Sequence, residues 1–291
     1  MVILKKPILV TGATGRIGRA VVSCLLGAGL PVRALTRRPA TAGLPAAVEV
    51  VAGDLTVPDS LDASLQDVSA VFLLWTAPPS TAAAVVERMA SRALRVVFLS
   101  SPHRTPHPFF QQPNPSAAFH REVERLLATA GLASTIIRPG MIASNARFWW
   151  ASMIQKGDVV RWPYGAAETA PIDERDIAAV AARTLYDEAH AGGDYVVTGP
   201  ESLSQGEQVG IIGSVIGRRI SYEEVSPEAF RAEMMARAPG PWVDMLLNAW
   251  AATIGRRAYV TSTVADVLGS PARTFREWAT DHADAFRAPA P

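Results

Sequence analysis

A glycine-rich turn near the start of the chain, Thr11–Gly18, constrains the fold more than any other segment. It reads TGATGRIG, follows the apolar run Pro7–Val10 and opens a stretch with apolar residues at helical spacing. A glycine turn between a buried strand and a helix brings backbone N–H groups and the positive end of the helix dipole to one point, where the pyrophosphate of a dinucleotide binds. The residues predicted to hold this pyrophosphate are Gly12, Thr14, Gly15, Arg16, Ile17 and Gly18.

Two adjacent arginines, Arg37 and Arg38, follow the second predicted strand, Val32–Leu35. In proteins that select NAD, an acidic side chain near this position accepts hydrogen bonds from the ribose 2′-hydroxyl, whereas a 2′-phosphate needs a cation with a planar set of donors. The strand end carries no acid, so we predict NADP(H) as the cofactor, with Arg37 as the first contact and Arg38 as the second. Two solvated surface arginines are the alternative interpretation.

The composition limits the other classes of function. A net charge of +1 does not indicate binding to nucleic acid or to an anionic membrane. The single cysteine, Cys24, excludes an internal disulfide and favours a reducing compartment. No apolar run approaches the roughly 20 residues of a membrane helix, and the short N-terminal apolar stretch is a strand and not a signal peptide. We therefore expect a cytoplasmic protein with a small-molecule partner, no metal site and an oligomeric state that stays open.

Apolar runs alternate with helical patterns along the first half of the chain. The predicted strands are Val32–Leu35, Val48–Val51, Val71–Trp75, Val96–Leu99 and Ser134–Ile137, in addition to the strand before the glycine turn. Near-continuous apolar strands that alternate with helices are typical of a parallel sheet covered on both faces. The sequence therefore predicts an α/β fold with a doubly wound parallel sheet of the Rossmann type.

Ligands of such sheets lie beyond the carboxyl ends of the strands, so the residues after each strand are candidate site residues. Asp54 follows the third strand and is predicted to contact adenine, although a turn residue is an equally good interpretation. Thr76 and Ala77 follow the fourth strand, and the prolines after them keep their backbone out of a helix and beside the cofactor. Ser100 and Ser101 end the fifth strand, where a hydroxyl could reach a substrate carbonyl. A plain turn is the alternative there.

Together these motifs resemble the NmrA-like group of atypical short-chain dehydrogenase/reductases, over nearly the whole chain. The segments that carry the resemblance are TGATGRIG, LTRRP, GDL, His120–Leu127, Ile137–Gly140, Pro171–Ala178, Tyr195–Ser204 and Ile216–Ile220. The resemblance implies an NADP-binding Rossmann core over residues 1–140, with residues 171–198 returning to the sheet. It also implies a smaller C-terminal substrate-binding cap, formed by residues 141–170 and 199–291.

The chain departs from typical short-chain reductases at the catalytic pair. Those enzymes use a tyrosine as proton donor and a lysine four residues later to lower the pKa of the tyrosine. Alignment on Glu124 and on the downstream strand end Arg138–Gly140 places Ser116 at the tyrosine position and His120 at the lysine position. A serine hydroxyl is too weak an acid to supply a proton unaided. Either the proton comes from water, His120 or a hydroxyl of the substrate, or the protein is a non-catalytic NADP(H) sensor.

Aromatic residues beyond the nucleotide-binding half favour the enzyme, because their flat faces suit a large planar ligand. The proline-rich loop 102–115 is predicted to be a lid. The predicted substrate-binding residues are Phe109, Phe110, Met141, Trp149, Trp150 and Trp162, and core packing is the alternative for many of these aromatics. Trp149 and Trp150 cannot face the same way on a helix, so one of them is expected to be exposed.

These observations predict an NADPH-dependent ketoreductase that transfers hydride to a carbonyl of a bulky aromatic or polyketide-like molecule, as in antibiotic biosynthesis. Ser100, Ser101, Ser116 and His120 are the candidate catalytic residues. A quinone reductase and the NADP(H) sensor are the alternatives.

Overall fold

The fold is described from a computed structural model that covers residues 6–92, 94–236 and 238–288. The strands are β1 Ile8–Val10, β2 Val32–Thr36, β3 Val48–Ala52, β4 Ala70–Leu74, β5 Arg95–Leu99, β6 Ser134–Pro139, β7 Val159–Trp162, β8 Glu168–Thr169, β9 Asp194–Val197, β10 Leu203–Ser204 and β11 Ser221–Glu224. The helices are α1 Arg16–Gly27, α2 Asp62–Leu65, α3 Ala82–Ala90, α4 Ala117–Thr129, α5 Asn145–Lys156, α6 Glu174–Tyr186, α7 Gln205–Ile216, α8 Pro227–Met234, α9 Gly240–Ala251, α10 Thr263–Leu268 and α11 Phe275–Asp281.

Seven of the strands form one parallel sheet in the order β3-β2-β1-β4-β5-β6-β9. Its strands are apolar and buried, as in Val71, Phe72 and Leu73, each with 0% exposure. Strand residues such as Leu9 share one buried cluster with residues of α3 and α4, and α1 and α6 pack on each other and on the strands. Helices thus flank the sheet, which confirms the predicted doubly wound α/β fold.

The chain divides into two compact units, called here the first unit and the second unit. The first unit joins the chain up to Ser101 with Ala118–Arg138 and Glu174–Tyr195. The second unit combines Pro102–Ala117, Pro139–Asp173 and the chain from Val196 onward. The predicted core had included residues 102–117, whereas the structure groups them with the second unit.

An aromatic cluster forms the core of the second unit. Trp162 on β7 contacts both Trp150 on α5 and Trp250 on α9 edge to face, and Phe230 on α8 packs against Trp162 and Trp250. Trp150 is fully buried, with 0% exposure, so it belongs to the core and not to a ligand-accessible surface. This corrects the prediction that Trp150 binds substrate. Its neighbour Trp149 is partly exposed, as the helical geometry requires.

Two further findings concern only the part of the chain that the structure describes. None of its helices combines the length and apolar character needed to span a bilayer. It also contains no group of three or more histidine, cysteine or acidic side chains arranged to hold a metal ion.

Candidate active site

A cleft of about 620 Å³ opens in the first unit at the carboxyl ends of β1, β2, β3 and β4. The strand order reverses between β1 and β4, which is where open α/β sheets bind their ligands. The cleft brings together all but one of the predicted cofactor residues. Its walls include Gly12, Thr14, Gly15, Arg16, Ile17, Arg37, Arg38, Asp54, Thr76 and Ala77.

The glycine turn leaves room for a phosphate because its glycines have no side chains. Gly12 has a φ of +63°, a conformation that other residues rarely adopt. Gly15 is the N-cap residue of α1 and contributes no capping side chain, so an anion can approach the N–H groups of the first turn. Gly18 does not line the cleft but lies behind the turn, where an added Cβ would stand 2.1 Å from Gly12 O. The turn therefore fits a dinucleotide pyrophosphate.

Arg19, which the sequence analysis did not single out, stabilises the turn from the outside. Its Nε donates to Thr14 O at 3.0 Å, and its Nη atoms donate to Ala42 O at 2.7 Å and Gly43 O at 2.6 Å. Arg19 thus ties the glycine turn to the segment that follows the two arginines. An arginine on an exposed helical position carries no local signal for these contacts.

Arg37 and Arg38 lie at the rim of the cleft and are exposed. Neither guanidinium makes a hydrogen bond or an ion pair within the described residues, so both can bind an anionic ligand. Asp54 Oδ1 accepts a hydrogen bond from Thr56 N at 2.8 Å, and this bond, with help from the Arg37 charge, lowers the pKa of the Asp54 carboxyl. Asp54 therefore has the turn role that the sequence left open, and its contact with adenine stays a prediction.

A hydroxyl and an imidazole meet beyond the end of β5, also in the first unit. Ser101 Oγ and His120 Nδ1 are 2.9 Å apart, which is a hydrogen bond. Ser101 is buried, whereas the His120 ring is half-buried and packs against Phe98 and Phe119. The bond at Nδ1 fixes the orientation of the ring, in which Nε2 is the second nitrogen.

A buried ion network holds this pair in place. Arg138 Nη1 donates to Ser101 O at 2.9 Å, and its guanidinium makes a bidentate pair with Glu124 at 2.7 and 2.9 Å. Asp194 accepts two further bonds from Arg138. Burial lowers the pKa of Arg138, but the bonds to Glu124 and Asp194 outweigh burial and raise it above its ordinary value. No local sequence pattern indicates this network, because Glu124, Arg138 and Asp194 lie on α4, β6 and β9.

Two predicted catalytic hydroxyls have other partners. Ser100 is buried and donates its hydroxyl proton to Glu124 Oε1 at 2.5 Å. Ser116 donates its hydroxyl proton to Asn114 Oδ1 at 2.8 Å, in the turn that precedes α4. Ser100 and Ser116 thus stabilise a strand end and a helix start in this structure, and their catalytic role stays a prediction.

The predicted substrate residues other than Trp150 line two different cavities of the second unit. Phe109, Phe110 and Met141 surround a small recess, together with His107, Glu168 and Tyr259. Trp149 and Trp162 line a separate groove of about 620 Å³, whose floor and rim also include Phe148, Met153 and Phe230. Gly140 and Met141 of the recess directly follow β6 in the chain.

The parallel sheet, the glycine turn and the cleft define a dinucleotide-binding α/β protein of the Rossmann type. The chain belongs to the NAD(P)H-binding family, whose model matches residues 12–188. This confirms the resemblance to NmrA-like atypical short-chain dehydrogenase/reductases. The protein is an NAD(P)H-dependent oxidoreductase, and its cofactor is NAD(P)H.

Similar proteins cover almost the full chain. A (4-alkanoyl-5-oxo-2,5-dihydrofuran-3-yl)methyl phosphate reductase of Streptomyces griseus is 36% identical over 96% of this chain and 99% of its own length. An NAD(P)H azoreductase of Xenophilus azovorans is 33% identical over 97% of this chain and 99% of its own length. The NADPH complex of an Escherichia coli quinone oxidoreductase has the same fold, with a TM-score of 0.80 at 23% identity over 94% of this chain and 99% of that one.

Proposed function

We propose that the protein is an NADPH-dependent reductase that transfers hydride to a carbonyl of an aromatic or polyketide-like substrate. The relatives are named for an oxo-dihydrofuran phosphate and for azo compounds, and a structural neighbour for quinones. These compounds share polarised or electron-poor double bonds that accept hydride. The aromatic walls of the recess, Phe109 and Phe110, support a flat unsaturated substrate. A cytoplasmic location, where Cys24 stays reduced, agrees with this function.

Selection of NADPH over NADH rests on the rim of the cofactor cleft. Arg37 and Arg38 are exposed there without partners among the described residues, and a 2′-phosphate would receive charge-assisted hydrogen bonds from either guanidinium. The bound cofactor supplies the hydride, and the glycine turn holds its pyrophosphate.

The single observation that carries a catalytic role is the hydrogen bond between Ser101 Oγ and His120 Nδ1. His120 in its imidazolium form donates the Nε2 proton to the product oxygen and becomes a neutral imidazole, and Ser101 acts as a positioning residue. Arg138 fixes the backbone of Ser101 through its carbonyl group. A histidine thereby replaces the tyrosine and lysine of typical short-chain reductases, and a substrate hydroxyl beside the carbonyl would assist it by polarising the oxygen.

A quinone is the second candidate substrate, and the size of the recess favours it. The recess encloses about 10 Å³, the space of about one water molecule. A compact quinone needs less rearrangement of the surrounding loops than a polycyclic ketone does.

The function is tested by following the near-ultraviolet absorbance of NADPH with a panel of quinones and hydroxylated polycyclic ketones. We expect consumption of NADPH with at least one class, and a loss of turnover in His120→Ala while NADPH binding persists. Cofactor binding without consumption across the panel would contradict the proposal and favour the sensor. Full activity of His120→Ala would show that His120 is not the proton donor and that positioning of the substrate and its own hydroxyl groups account for the rate.

A further inference from the structure

The recess behind Met141 contains one acidic side chain. Glu168 on β8 lies in its wall, where the other lining groups are mostly aromatic or aliphatic, as in Phe109, Phe110, Met141 and Ala170. The side chain of Glu168 is 23% exposed. A carboxylate in such a wall is costly unless its oxygens find donors, so its partners indicate its role.

The two oxygens of Glu168 differ in their partners. Oε2 accepts a hydrogen bond from Ser202 Oγ at 2.5 Å and lies 3.5 Å from Arg257 Nε. Oε1 has no hydrogen-bond partner among the residues that the structure describes. Ser202 Oγ also accepts a hydrogen bond from Ala258 N at 2.6 Å. The Glu168 carboxylate is therefore anchored through one oxygen only. The other oxygen is an acceptor held in a defined position.

We propose that Glu168 Oε1 accepts a hydrogen bond from a hydroxyl group of the substrate and selects hydroxylated aromatic carbonyl compounds. The inference rests on the proposed function, because it assumes that the recess receives the substrate. A carboxylate acceptor recognises O–H donors and disfavours a methoxy group or a second carbonyl at the same place, whose lone pairs would face its charge. A hydrogen bond to a charged group changes binding by about 10-fold to 100-fold.

The carboxylate also has a structural role, and the two roles make different predictions. Glu168 holds Ser202 and, through it, the backbone at Ala258. Ser202→Ala removes this anchor and keeps Oε1, whereas Glu168→Gln keeps the size of the side chain and removes its charge. If Glu168 is only an anchor, both variants will weaken the binding of all ligands equally. If it recognises a hydroxyl, Glu168→Gln will weaken hydroxylated ligands alone.

The test compares a naphthoquinone with its hydroxylated and methoxylated analogues in steady-state kinetics with NADPH. For the wild type we expect kcat/KM to favour the hydroxylated compound by about 10-fold or more, mainly through KM. Glu168→Gln is expected to abolish this preference. Glu223→Gln is the matched control, because this carboxylate pairs with Arg161 outside the recess, and it should keep the preference.

A binding measurement separates failure of the inference from failure of the proposed function. Calorimetry on the protein saturated with NADP⁺ compares naphthol with methoxynaphthalene, neither of which needs to be reduced. Tighter binding of naphthol that Glu168→Gln abolishes supports the inference even if no quinone is consumed. Equal binding of the two compounds, or an unchanged preference in a folded Glu168→Gln variant, overturns it. Thermal unfolding of each variant verifies the fold.

Discussion

Replacing Gly18 by alanine tests whether close packing behind the glycine turn shapes the cofactor site. The added Cβ would stand 2.1 Å from Gly12 O, 2.7 Å from Gly12 C and 2.9 Å from Ala13 Cα, all of them backbone atoms. Ordinary contact begins near 3.4 Å, so the turn and α1 must separate by about 1 Å. A shift of this size breaks hydrogen bonds from the first turn of α1 to phosphate, each of which contributes about 1.5–3 kcal/mol.

We therefore expect Gly18→Ala to raise the Kd of NADPH at least about 10-fold, as measured by calorimetry, and to lower the free energy of unfolding by about 1–3 kcal/mol. Gly27→Ala is the matched control on the same helix, because nothing lies within 4 Å of its added Cβ. That variant should bind NADPH normally and be slightly more stable, since alanine favours the helix. Wild-type NADPH affinity in Gly18→Ala would refute the reasoning.

Three further substitutions probe the site. His120→Ala should lower kcat about 100-fold or more with little change in the KM of NADPH, and a loss confined to KM in steady-state kinetics would count against a proton donor. Glu124→Gln leaves the buried Arg138 with one carboxylate partner, Asp194, and should cost about 3 kcal/mol in denaturant unfolding; a loss below about 1 kcal/mol would contradict the ion network. Arg19→Met removes three hydrogen bonds to carbonyl groups and should raise the Kd of NADPH several-fold in calorimetry. An unchanged Kd would show that the glycine turn keeps its conformation without Arg19.

The sheet could be predicted from the sequence because its central strands β1, β4 and β5 are mostly buried and consist mostly of apolar residues. Val32–Leu35 was predicted and Val32–Thr36 is observed, and Ser134–Ile137 extends to Pro139. The glycine turn was equally accessible, since the strand, the turn and the helix are contiguous in the chain. Residues after successive strands converge at one edge by topology alone, which is why the predicted cofactor residues meet in one cleft.

Sequence patterns are insufficient where segments that are distant in the chain determine the environment of a residue. Helical geometry predicts that Trp149 and Trp150 point in different directions, but only the packed core, where Trp162 contacts Trp150, shows that Trp150 is the buried one. The sequence places Ser100 at a strand end, where its hydroxyl could contact a substrate, and only the fold shows that Glu124 accepts a hydrogen bond from this hydroxyl. These contacts join residues that are far apart in the chain, and no local pattern in the sequence reveals them.

Calorimetric titration of the protein with NADPH and NADH tests the central claim most directly, namely that the cleft of the first unit is a cofactor site that selects the phosphorylated coenzyme through Arg37 and Arg38. The wild type should bind NADPH more tightly, and Arg37→Ala combined with Arg38→Ala should lose at least about 10-fold in NADPH affinity while NADH affinity stays the same. Absence of binding heat with either coenzyme, or an undiminished preference for NADPH in the double variant, would contradict the account.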